Sequence, residues 1–107
     1  MSHTLMFWKQ SPGLLTPRAT IAQDLDFGEE VEGLIDLPVR AILDRLRAEF
    51  PESDERPGLL VCRTAADDFE ASWTWQVVKL QHRELSEQGR EKLLAIAREF
   101  GCEAYAA

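Results

Sequence analysis

The chain has 107 residues, 45% of them hydrophobic and 29% charged, and nineteen acidic against twelve basic side chains leave a net charge of −7. A chain of this length can bury about 60–70% of its unfolded surface, so residues 1–107 are expected to form one domain, and a wholly disordered chain is excluded. The acid excess argues against nucleic acid and anionic membranes, which are held through positive charge, and suits fast encounter with a basic protein.

Thr4 to Gln10, TLMFWKQ, reads as the first strand. Leu5 and Phe7 would lie on one face and Met6 and Trp8 on the other, a pattern expected of a strand covered on both sides. Ser11-Pro12-Gly13 ends it. Thr16 as N-cap and Pro17 at the first helical position open a short helix, with Ile21, Ala22 and Leu25 inward and Gly28 as its stop. Pro38 opens a stronger helix. Val39, Ile42, Leu43, Leu46 and Phe50 repeat at helical spacing, and Pro51 terminates it.

Residues 51–57, PESDERP, read as a polar connection, and residues 58–64 as a second strand. Residues 65–68 form a turn. Residues 69–83 are β-rich but too long for one strand, and their apolar alternation slips phase near Trp75 to Val77. Two strands, about 69–74 and 77–83, are expected, with no Asn-Gly or Asp-Gly to set the turn type. On such a strand Trp73 and Trp75 share a face. Ser86 caps the last helix, whose buried stripe is Leu93, Ile96, Ala97 and Phe100. Gly101 stops it, and residues 102–105 add a final strand.

Without the short helix and one strand, the order is β-α-β-β-α-β. The expected fold is therefore α+β: a ferredoxin-like split βαβ sandwich with two main helices on one face of an antiparallel sheet.

The chemistry-bearing residues are sparse. Asp24, Asp26, Glu29, Glu30, Glu32 and Asp36 lie in a stretch with no Lys or Arg between Arg18 and Arg40. A calcium loop starting at Asp24 would need Gly at its sixth position and Glu at its twelfth, which hold Glu29 and Ile35. The stretch is thus a solvated connection anchored by Leu25, Phe27, Val31, Leu34 and Leu37, an acidic docking surface, or both. Cys62 and Cys102 lack paired zinc spacing, and His3 and His82 stand alone, so no metal and no cofactor is expected. No phosphate loop and no acyl-transfer triad appears, and no catalytic residue is assigned. His82, Arg83 and Glu84 are the one close mixed triplet on an expected strand. No signal peptide or membrane span is legible, so a reducing cytoplasm and free thiols are expected.

Four segments together resemble a family of small, largely uncharacterised bacterial proteins: LMFWKQSP, EEVEGLIDLPVRAILDRLRAEFP, FEASWTWQ and LLAIAREFGCEAY. The tail departs from the family pattern, ending Tyr105-Ala-Ala where a Tyr-Asp-Pro-like ending is usual. Some members of that family look like immunity proteins encoded beside secreted toxins. The resemblance implies a non-catalytic binding protein whose partner is a cognate protein toxin with a basic site. Its contact set would be the six carboxylates, with Trp73 or Trp75 as an apolar anchor if exposed. The alternatives are a small ligand-binding or enzymatic domain on the same fold, and a homodimer or larger oligomer joined through an open sheet.

Overall fold

A computed structural model describes residues 3–106; Met1, Ser2 and Ala107, the last residue of the tail, lie outside it. In chain order the elements are β1 (His3–Gln10), α1 (Arg18–Asp26), β2 (Leu34–Ile35), α2 (Val39–Glu49), β3 (Asp54–Arg56), β4 (Leu59–Arg63), β5 (Asp67–Trp73), β6 (Val78–Leu85), α3 (Glu87–Glu99) and β7 (Glu103–Ala106). The class is α+β, as expected, with a seven-stranded antiparallel sheet and three helices. Strands β3 to β6 form a consecutive meander. β1 then sits between β6 and β7, and β2 pairs with its far end through Gln10 and Lys9.

β2 and β3 exceed the sequence expectation, and both are too short to show a period. β3 lies inside PESDERP, where Asp54, Glu55 and Arg56 pair with Val61, Leu60 and Leu59. Charge on this outer strand suits an edge, where it discourages pairing with another chain.

Two apolar clusters lie on opposite faces of the sheet. On one, Leu5, Phe7, Leu60, Cys62, Phe69, Ala71, Val78 and Leu80 meet Ile42, Leu43 and Leu46 of α2 and Leu93, Ile96 and Ala97 of α3. The two main helices share this face. On the reverse, Met6 and Trp8 meet Ile21, Ala22 and Leu25 of α1, with Val31, Leu34 and Val77. Burying each of these large side chains contributes about 1.5–3 kcal/mol. β1 is therefore covered on both sides, as its unbroken apolar run predicts. The Trp8 indole N–H is kept satisfied by Gln10 Oε1 at 2.8 Å.

Helix ends follow local chemistry. Ser86 Oγ accepts the Gly89 N–H at 2.9 Å, a regular N-cap. Asp67 Oδ1 accepts from both the Ser86 N–H and its hydroxyl, each at 2.9 Å, tying the start of β5 to the start of α3. At α1 the N-cap is Pro17 with no side-chain cap bond, so Thr16 does not take the role its sequence position suggests.

Candidate protein-binding surface

The acidic stretch is an ordered strap. α1 ends in a full Schellman turn: the Glu29 N–H reaches the Asp24 carbonyl and the Gly28 N–H the Leu25 carbonyl, both at 3.0 Å, with Gly28 at φ +79°. Val31 is then held by Gln76. Its N–H donates to Gln76 Oε1 at 2.8 Å, and Gln76 Nε2 donates to its carbonyl at 2.7 Å. Farther on, the Ser11 N–H meets the Gly33 carbonyl, and the Leu37 N–H meets the Trp75 carbonyl, both at 2.9 Å. Leu25, Val31 and Leu34 belong to the reverse cluster and Leu37 to the helix-side cluster, so the strap passes from one core to the other. Four of the five expected anchors are buried. Phe27 is not: it is 72% exposed.

The carboxylates sit between these anchors. Glu29, Glu30, Glu32 and Asp36 are exposed, Asp24 is half-buried on α1, and Asp26 ends that helix with an ion pair to Lys79 at 2.7 Å. Among the described residues it is the one acid of the six with an ion partner. Elsewhere several charges are paired, among them Arg40 with Glu55, Arg45 with Glu99, and Arg63 with both Asp68 and Glu70. Arg40 lowers the pKa of the Glu55 carboxyl, chiefly through their hydrogen bonds. Asp24 and Asp26 also fall at the negative end of α1, whose last turn has no base. Acids at a helix C-terminus oppose the dipole, so the local field is more negative than the charge count implies.

Trp73 and Trp75 part company. Trp73 ends β5 and packs partly buried on the helix-side core. Trp75 lies in the β5–β6 turn, where the Thr74 N–H meets the Val77 carbonyl at 2.9 Å, and is 45% exposed. The phase slip is thus a tight turn. The turn and the strap enclose a groove of about 160 Å³, walled by Leu25, Gly28, Glu29, Glu30, Trp75 and Val77. A neighbouring groove of about 170 Å³ includes Asp26, Trp73 and Lys79. The structure therefore brings Glu29 and Glu30 to Trp75, and Asp26 to Trp73, while Glu32 and Asp36 line neither groove. Sequence reasoning missed Gln76, Lys79 and the exposure of Phe27. A lone glutamine inside the apolar run WQVV was the available signal for the first.

Chemistry elsewhere does not converge. Cys62 pairs across the sheet with Phe69, and Phe69 with His82, so a phenyl ring's strand separates thiol from imidazole. Burial pushes the Cys62 thiol pKa up, which disfavours the nucleophilic thiolate. Arg83 lines a polar groove with Arg63, Asp68, Glu70 and Gln81, whereas His82 is buried beside His3, ring centroids 5.7 Å apart. The His82–Arg83–Glu84 triplet is thus split between faces. Cys62 and Cys102 are both free. Among the described residues no three His, Cys, Asp or Glu side chains are placed to hold a metal ion, and no helix is long and apolar enough to cross a membrane.

Comparison with protein-family models, curated proteins and solved structures finds no match to this chain.

Proposed function

We propose that this chain is a non-catalytic binding protein of the cytoplasm, an immunity protein that neutralises a bacterial toxin by covering a basic active site. The observation that carries the reading is a set of largely unpaired carboxylates held on a hydrogen-bonded strap beside an exposed tryptophan. A protein that blocks a site needs a rigid scaffold and complementary charge, and no reactive group of its own. Charge of this kind raises the association rate and loses its effect at high salt. Trp75 supplies the flat apolar contact that interface centres favour.

The scaffold reading is a ferredoxin-like split βαβ with an edge hairpin. The order β7-β1-β6-β5 supports it: β1 separates the parallel pair β6 and β7, and α2 and α3 are the crossovers on one face. β3 and β4 then extend the sheet beyond β5.

The test uses the chain as bait in its native cell extract at low salt. A captured protein is identified, expressed alone in a heterologous host to show growth arrest, and co-expressed with the chain to show rescue. A Glu29→Lys, Glu30→Lys, Glu32→Lys variant should slow association and lose rescue. Full rescue by that variant, with unchanged association kinetics at low salt, would refute the acidic face as the contact.

A further inference from the structure

We infer that the groove between Gly28–Glu30 and the β5–β6 turn receives an arginine side chain presented by the protein partner. The inference rests on the neutralising reading above and names the group that reading leaves open. Three features of the groove select it.

The walls offer acceptors and no cation. Glu29 and Glu30 bring carboxylates, and no Lys or Arg lines the groove. The Gln76 amide, which also lines it, is spent at both ends on Val31. An anion finds no partner here, whereas a cation does. The groove also opens beside the C-terminus of α1, where the helix dipole adds negative potential; the last turn of α1 holds no basic residue of its own, and Lys79 is engaged by Asp26 outside this groove.

The remaining walls are apolar. Leu25 and Val77 are buried, and Trp75 leaves part of its indole open. An ammonium group is compact and strongly hydrated and loses much by entering such a place. A guanidinium is planar and weakly hydrated on its faces, so it can stack on an indole while its edge donates to carboxylates. Trp75 and the two glutamates on one groove match both surfaces of that group.

The groove is also prebuilt. The Schellman turn fixes Gly28 and Glu29, and the Leu37 N–H holds the Trp75 carbonyl. Little order has to be imposed when the side chain arrives.

Short arginine and lysine peptides of equal length are titrated against the full chain at low and at physiological salt. The arginine peptide should bind about three- to tenfold more tightly than the lysine peptide, and both should weaken as salt rises. Trp75→Leu keeps apolar bulk and removes the π-face, so it should abolish the arginine preference and leave the salt-dependent part. Glu29→Gln with Glu30→Gln should weaken both peptides. Circular dichroism confirms that the variants fold; both changes lie on exposed side chains. Equal binding of the two peptides, or a preference that survives Trp75→Leu, overturns the inference. The two readings fail separately. Arginine preference without any toxin leaves the subsite standing and removes the neutralising role. A toxin neutralised through Glu29 to Glu32 but indifferent to loss of its own arginines does the reverse.

Discussion

Gln76 holds Val31 by both ends of its side-chain amide, accepting from the Val31 N–H at 2.8 Å and donating to the Val31 carbonyl at 2.7 Å. The pair spans forty-five positions of sequence. It closes the strap onto the turn that presents Trp75, and both partners are buried. Gln76→Leu would leave a buried N–H and a buried carbonyl unpaired, a loss of about 2–5 kcal/mol. The urea midpoint should fall accordingly, and amide exchange across residues 29–37 should accelerate. An unchanged midpoint would show that water replaces the amide at little cost.

Gly89 is enforced by Asp67. A Cβ at Gly89 would stand 2.2 Å from Asp67 Oδ1, the atom that accepts two hydrogen bonds from Ser86. Glycine inside a helix ordinarily costs about 0.5–1 kcal/mol relative to alanine. Here Gly89→Ala should instead destabilise the protein, because Asp67 must leave Ser86. In an Asp67→Ala background the same substitution should become neutral or stabilising. A double-mutant cycle by urea unfolding measures the reversal, and additive effects would refute the coupling.

His82 makes the fold sensitive to mild acid. Burial first, and then Arg90 and His3, hold its pKa below the ordinary histidine value of 6.5. The unfolded chain therefore takes up this proton before the folded one. The stability contribution is complete above about pH 6.5 and is lost as pH falls from there through the depressed folded value. Urea midpoints measured from pH 8 down to pH 5 should decline through that window. His82→Leu should flatten the decline, and an identical slope in that variant would assign it to other groups.

Three carboxylates of the strap are expected to contribute nothing to folding. Glu29, Glu30 and Glu32 are exposed and have no ion partner among the described residues. Replacing all three by glutamine should leave stability within about 0.5 kcal/mol, or raise it by relieving like-charge repulsion. The same variant should lose the partner binding proposed above. Thermal melts at low salt check the first statement, and a clear drop in melting temperature would make these side chains structural.

What the sequence disclosed follows what is local. α2 and α3 were legible because Ile42, Leu43, Leu46, Leu93, Ile96 and Ala97 recur at helical spacing, and because Pro51 and Ser86 punctuate the chain. β1 was legible from apolar residues on both faces. β2 and β3 were not, since Leu34–Ile35 and Asp54–Arg56 are strands only by virtue of their partners in β1 and β4. The turn at Trp75-Gln76 carried no local mark. Tight hairpin turns usually announce themselves through residues at positive φ, and no non-glycine residue in the described chain has one. Side-chain and backbone contacts from Gln76 and Leu37 hold it instead. For the same reason the acids of the strap were legible as a cluster, while the meeting of Glu29 and Glu30 with Trp75 was not. Phe27 misled because it alternates with true anchors, yet it falls at the C-cap of α1 and points to solvent.

The strap alternates residues that cannot change with residues that can. Leu25, Val31, Leu34 and Leu37 belong to two cores, whereas the residues at positions 29, 30, 32 and 36 are exposed. Charge at these four positions can therefore change with no compensating mutation in either core. Within residues 29–36 the anchors Val31 and Leu34 interleave with exposed acids, so surface charge and core packing can drift independently in one short segment.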